Sequence, residues 1–368
     1  MTIQELSAAG RHQECLQACQ TALQVNPEES YVYKYAGKSL LALGQFEKAQ
    51  ECLVKAHELD GSDPEIAKDI GNIFLNLGNQ NTALGWYEKA LEINNNYGPA
   101  INNLANLKRQ SGNNQEAVDL YKRAIQVDPR LIQAYVGAAA SFLTLGDLDQ
   151  AESFAAQAIA INESAPGINE ILGLVFQNKN DIDQAIECYQ KELEINPQAS
   201  NSLLNFGCLL LQKGQTAAAV ESLLKASTLA PSDQCSLLLA QAYKNLGQLD
   251  QAIVFTLKAL ELNPYNSDAY MFLSLIYKAL GQLDQSLASG IKSQELNPGD
   301  PDVHMNLAQI YFEKADYVNS EKEVDLAIRF NVISIDVCYR IKSACLFNRK
   351  CFDEAIDLLV SLLGISGN

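Results

Sequence analysis

The chain has 368 residues, with 44 Asp and Glu against 27 Lys and Arg and a formal net charge of −17 at pH 7. That balance argues against nucleic acid and against an anionic membrane surface as partners, since both are recognised through clustered cations. Apolar residues make up 48% of the chain, ample for packed helices, yet no apolar run reaches the length of about 18 residues that a membrane span needs. The nine cysteines form no CxxC pair and several fall where a small hydrophobe would pack, which fits a reducing compartment. The opening MTIQELSAAG has neither a basic stretch nor an apolar core of the secretory type, so a cytoplasmic location is expected.

Taken in order, residues 1–29 hold most of a first helical hairpin, with a short helix through Ile3, Leu6 and Ala9 followed by Arg11 to Val25. Nine full units follow over 30–335, and 336–368 read as a degenerate last unit without an evident capping helix. The clearest unit is Gly98 to Leu131, GPAINNLANLKRQSGNNQEAVDLYKRAIQVDPRL. Ile101, Leu104, Ala105 and Leu107 mark one helix, Gly112 breaks it, Ala117, Leu120, Tyr121, Ala124 and Ile125 mark a second, and Pro129 closes the pair. One hairpin cannot bury both of its faces, so similar hairpins must stack on either side.

The hairpin position recurs as Gly10, Gly44, Gly78, Gly112, Gly146, Asn180 and Gly214, then Gly247, Gly281, Ala315 and Lys350. Five residues beyond each comes a small side chain at nearly every step, from Cys15 and Ala49 through Ala83 to Ser320 and Ala355. A second small position is broken only by Glu192 and Ser293, and prolines close units at Pro27, Pro129, Pro197, Pro231, Pro264 and Pro298. Glycines on the first helix of several units (Gly37, Gly71, Gly173, Gly207) would cost about 1 kcal/mol in an exposed helix, which close helix approach would offset. Towards the C-terminus the pattern weakens: Ser274 and Ser343 replace Gly or Ala, Lys342 stands at an apolar position, and no proline closes the stretch from Phe330 to Asp336.

This period, with its Gly/Ala, aromatic, Ala and Pro positions, resembles the tetratricopeptide repeat family over nearly the whole chain. The resemblance implies an all-α fold: a right-handed αα-superhelix of about eleven hairpins, built as one solenoid over 1–368. Leu358, Leu359, Leu362 and Leu363 near the C-terminus would then need cover, by self-association or by contact of the last helix with a downstream domain.

Little chemistry accompanies the repeat. His12, His57 and His304 fall in different units without metal-ligand spacing, and neither a phosphate-binding nor a dinucleotide-binding glycine motif occurs. A protein without catalytic residues, metal or cofactor is expected. In the family, the first helix (A) of each repeat lines a groove that takes peptides, and carrying those positions over divides the lining in two. One stretch is polar and partly basic: Lys34, Lys38, Lys68, Asn72, Asn102, Asn103, Asn106 and Arg109, with Asn205 further on. The other is apolar: Leu237, Leu238, Met271, Phe272, Leu275, Met305 and Phe312. Asparagine amides can pair with the backbone of an extended peptide, and an apolar wall with Met suits a hydrophobic segment or helix.

Two narrower likenesses follow. Lys68, Asn72 and Asn103 match places of the carboxylate clamp of chaperone-binding members, but Gln133 and Gly137 stand where its further cations would be. The wording of the 98–131 unit resembles the superhelical arm of O-linked N-acetylglucosamine transferases, whose groove asparagines grip substrate peptides. Here Asn103, Asn205 and Asn306 make only an interrupted ladder. The expectation is therefore a non-enzymatic scaffold for a protein or peptide partner. The alternatives are a substrate-recruiting arm of a larger glycosyltransferase or sulfotransferase, and a self-associating assembly subunit.

Overall fold

The computed structural model describes residues 1–362, and every regular element among them is an α-helix. The helices pack consecutively as A and B partners of hairpins, in two compact units. The first unit ends at Ile195. It begins with α1 (Ile3–Ala8) and α2 (His12–Val25), α3 (Ser30–Ala42) and α4 (Phe46–Leu59), and α5 (Pro64–Asn76) and α6 (Gln80–Ile93). It continues with α7 (Gly98–Gln110) and α8 (Asn114–Val127), α9 (Ile132–Leu145) and α10 (Leu148–Ile161), and α11 (Ile168–Asn178) and α12 (Ile182–Ile195). The second unit starts at Asn196. It holds α13 (Ser200–Gln212) and α14 (Thr216–Leu229), α15 (Asp233–Asn245) and α16 (Leu249–Leu262), and α17 (Ser267–Ala279) and α18 (Leu283–Leu296). Its last pairs are α19 (Pro301–Glu313) with α20 (Tyr317–Arg329) and α21 (Ile335–Asn348) with α22 (Phe352–Leu362).

The turn inside each hairpin needs one residue in the left-handed region, and the register glycines supply it, as at Gly78 (φ 77°) and Gly112 (φ 81°). Asn180, Ala315 and Lys350, which occupy the same register place without being glycine, adopt φ 60°, 58° and 66°. Asparagine tolerates this backbone, whereas at Ala315 and Lys350 the repeat imposes it on side chains that resist it.

The seam between A and B helices is built from size complementarity. A methyl group at Gly71 would lie 2.5 Å from Tyr87 Cε1, and one at Gly173 would lie 2.7 Å from Tyr189 Cε1. Tyr87, Tyr121 and Tyr189 are fully buried B-helix side chains, and Leu53 and Leu223 fill the corresponding places opposite Gly37 and Gly207. In the α17–α18 hairpin the sizes are exchanged. Ser274 Oγ donates to the Ser286 carbonyl at 2.7 Å, Ser286 Oγ donates to the Ser274 carbonyl at 2.8 Å, and Gly290 stands at the place that Leu53, Tyr87, Tyr189 and Leu223 fill in their hairpins. The serine that reads as degeneration is thus half of a reciprocal, fully buried hydrogen-bonded pair.

Other irregularities also have local causes. α11 starts only at Ile168, because Gly167 takes φ 79° and donates its N–H to Glu192 Oε1 at 3.0 Å. The buried Glu192 that interrupts the small-residue position is the acceptor for that turn. Lys342 reaches Asp325 on α20, which accounts for a charge at an apolar place. Between α20 and α21, Asn331 (φ 61°) and the buried Val332 end the unit in place of a proline. His304 is a packing residue: it is 2% exposed, its Nδ1 lies 2.6 Å from Glu323 Oε2, and its ring stacks on Phe330 at 5.4 Å.

On the last hairpin, Phe347, Phe352, Ile356 and Leu359 are exposed and line a largely apolar recess of about 550 Å³. Leu358 is half-buried; Leu363 and the side chain of Leu362 lie outside the described residues. Among the described residues no helix is long and apolar enough to cross a membrane.

Candidate functional site

In the first unit the lysines of the A helices do not leave a basic surface. Lys34 Nζ lies 2.7 Å from Asp63 Oδ2 and also pairs with Glu65, Lys38 Nζ lies 2.6 Å from Glu65 Oε1, and Lys68 pairs with Asp69. Burial works against the charge on Glu65, but hydrogen bonds from Lys34 and Lys38 outweigh it and bring its carboxyl down to about 2. Burial likewise disfavours the Lys34 ammonium, yet its bonds to Asp63 and Glu65 hold it above the ordinary lysine value. Asp69 behaves oppositely. Burial raises its carboxyl although Lys68 adjoins it, and its Oδ2 has no hydrogen-bond partner. The three lysines are neutralised within the fold, so this end of the lining is a salt-linked wall.

The asparagines are held from the core. Asn72 Oδ1 accepts from the Tyr87 hydroxyl and from Asn103 Nδ2, both at 2.8 Å. Asn106 Oδ1 accepts from the Tyr121 hydroxyl at 2.5 Å. Each tyrosine fills the A–B seam with its ring and passes its hydroxyl through to the A-helix face, so each amide is fixed with its N–H groups left for another acceptor. Burial raises the Tyr87 hydroxyl to about 12, which keeps it a donor at any ordinary pH. Sequence reasoning missed these tyrosines as site residues. Their signal is a constant spacing, since Asn72–Tyr87 and Asn106–Tyr121 are each 15 residues apart. Asn102 lies deeper, 6% exposed, with Oδ1 unpartnered.

Asn106 and Arg109 on α7 border a recess of about 410 Å³ whose other walls come from α9 and the start of α11. Val136, Ala140 and Ile171 give it an apolar floor, and Gln133 stands on its rim. Gly137, which also lines the recess, makes room for the Tyr121 ring behind it, because a methyl there would lie 2.3 Å from Tyr121 Cζ. Arg109 is half-buried with its Nε shielded and unpartnered, and it touches the Tyr121 hydroxyl. The recess therefore brings a guanidinium, a fixed amide, the Glu170 carboxylate and an apolar floor into one concavity.

In the second unit, Asn205 (α13), Leu237 and Leu238 (α15), Met271, Phe272 and Leu275 (α17), and Met305 and Phe312 (α19) are all half-buried on A helices. Phe312 packs edge-on against Tyr317 at 5.5 Å, and Met305 leans on the core around Val324 and Cys338. All nine cysteines are free thiols, and burial raises Cys188 to about 11 and Cys19 to about 12, away from nucleophilic thiolate.

These features define a class: an all-α array of consecutively packed helical hairpins. Models of the tetratricopeptide repeat match residues 35–98, 98–164, 168–198, 188–221, 234–266 and 267–300, and the chain belongs to that family. Repeats of this kind make it a protein-interaction scaffold. Among solved structures it is similar to the Cut9–Hcn1 hetero-tetramer of the APC/C, at 13% identity over 100% of this chain and 92% of that one, with a TM-score of 0.50. It is also similar to PilW, a type IV pilus biogenesis factor, at 20% identity over 58% of this chain and 97% of that one, with a TM-score of 0.50. MamA is 27% identical over 43% of this chain and 94% of its own, with a TM-score of 0.41. No curated protein matches the sequence.

Proposed function

We propose that this protein is a non-enzymatic scaffold that holds an extended segment of a partner protein against the A-helix face of its first unit, centred on α7 and α9. The observation that carries the reading is the recess bordered by Asn106 and Arg109, where an anchored amide and a guanidinium overlook an apolar floor. An extended backbone presents carbonyl groups to the amides of Asn72 and Asn106, which gives grip independent of side-chain identity, while the recess takes one side chain and adds choice. The salt-linked wall formed by Lys34, Lys38, Glu65, Lys68 and Asp69 bounds this surface on its N-terminal side and supplies rigidity.

The test is selection of peptides from a random displayed library against the intact chain, followed by affinity measurement on Asn106→Ala and Arg109→Gln. Each substitution is expected to weaken the selected peptides by about tenfold or more, equivalent to ~1.4 kcal/mol. Unchanged affinity in both would refute the reading.

A further inference from the structure

Lysines on the A helices divide into two groups. Lys34, Lys38, Lys68, Lys108 and Lys342 each meet a carboxylate, whereas Lys244 on α15 and Lys278 on α17 meet none among the described residues. These two occupy the same place in successive hairpins, and each reaches across to the next A helix. Lys244 Nζ stands 5.2 Å from the ring centroid of Phe272 on α17. Lys278 Nζ donates to Asn306 Oδ1 at 2.9 Å and to Gln309 Oε1 at 2.6 Å on α19. Asn306 is 3% exposed and its amide nitrogen is committed to Ser274 Oγ at 2.8 Å, so this cradle for Lys278 is rigid.

Amide dipoles solvate an ammonium without neutralising it. Burial depresses Lys278 below the ordinary lysine value, and the Glu313 carboxylate opposes that only in part. In a chain with 44 carboxylates against 27 cations, two neighbouring half-buried lysines that bond no carboxylate among the described residues stand out. Met271, Phe272 and Leu275 lie half-buried on the same helices. Of the acids on these helices, Asp233, Asp268 and Asp302 lie in the first turns of α15, α17 and α19, with Asp233 Oδ2 held by Asn263 and Asn266, and Glu313 at the end of α19 acts on Lys278 without bonding it. Asp268 is about ten residues, or ~15 Å along the helix, from Lys278.

We infer that the α15–α17–α19 face is a second docking surface, fitted to an acidic amphipathic segment whose apolar side chains rest on Met271, Phe272 and Leu275 and whose carboxylates pair with Lys244 and Lys278. A basic segment would meet two cations that bond no carboxylate, and a purely apolar one would bury them without an ion pair. A carboxylate arriving at Lys278 forms a charge-assisted hydrogen bond in a partly desolvated cradle, where it counts for more than on an open surface. This inference rests on the scaffold reading but names a different surface and a different ligand chemistry.

The test uses the intact chain and three fluorescent peptides: one combining Glu with Leu and Phe, one with every Glu replaced by Lys, and one with Leu and Phe replaced by Ser. The first is expected to bind at least about tenfold more tightly than the others. Lys244→Gln/Lys278→Gln is expected to lose about tenfold for that peptide and to flatten its salt dependence, while Lys244→Arg/Lys278→Arg largely retains binding and Arg109→Gln leaves it unchanged. Equal binding of the lysine peptide, or wild-type affinity in the double glutamine variant, overturns the inference. Binding lost in Arg109→Gln and kept in the double glutamine variant also overturns it, while leaving the first-unit reading intact.

Discussion

The A-helix faces of the two units are built on one repeat and do opposite things with it. In the first unit, bulky B-helix tyrosines fill the seam and their hydroxyls emerge to fix Asn72 and Asn106 on the far side. In the second, the equivalent places on α14, α16, α18 and α20 are Leu223, Thr256, Gly290 and Val324, none of them a phenol, and the half-buried A-helix face is apolar with two lysines. The orientation of Asn72 and Asn106 thus follows from the tyrosines that fill the seam behind them.

The seam itself gives the largest contrast. Gly71→Ala drives a methyl into the Tyr87 ring, which has no room to move, and overpacking of this kind costs about 1–3 kcal/mol. Gly290→Ala meets Leu307 Cδ2 at 2.8 Å, the far end of a flexible side chain. Alanine's helix preference of about 1 kcal/mol over glycine offsets much of that contact, so this variant is expected to stay near wild type in chemical denaturation. A costlier change at Gly290 than at Gly71 would contradict the tyrosine-filled seam as the tighter of the two.

A smaller effect distinguishes the salt-linked wall from an ordinary charged surface. Glu65 has an ordinary value of 4.5 and lies at about 2 when folded. Its contribution to stability is complete above pH 4.5 and disappears as the pH falls towards 2. Wild type should therefore lose more stability across that window than Lys34→Gln/Lys38→Gln, in which Glu65 has no ammonium partner. Parallel curves for the two proteins would show that the wall contributes nothing particular.

Much of the architecture is legible in the sequence because the repeat states it many times over. The turn positions from Gly10 to Lys350 all take the left-handed backbone, including Ala315 and Lys350, whose side chains give no hint of it. The chain's irregularities are less legible, since each depends on a partner outside its own period. Glu192 reads as a misplaced acid until Gly167 is seen donating to it, and Ser274 reads as decay until Ser286 is paired with it. The candidate surfaces were legible in outline only. Helix-A positions identify Lys34, Lys38 and Lys68 as lining, but their neutralisation by Asp63, Glu65 and Asp69 is a matter of side-chain reach. The same holds for Lys244 and Lys278, whose interest lies in carboxylates that do not reach them.

Replacing Tyr121 by Phe removes one hydroxyl and leaves the seam filled, so it isolates the link between core and binding face. The account predicts that a peptide selected against the first unit binds Tyr121→Phe about three- to tenfold more weakly than wild type, as Asn106 loses the bond that orients it, with a stability cost of only about 1 kcal/mol. Affinity equal to wild type in Tyr121→Phe would contradict it.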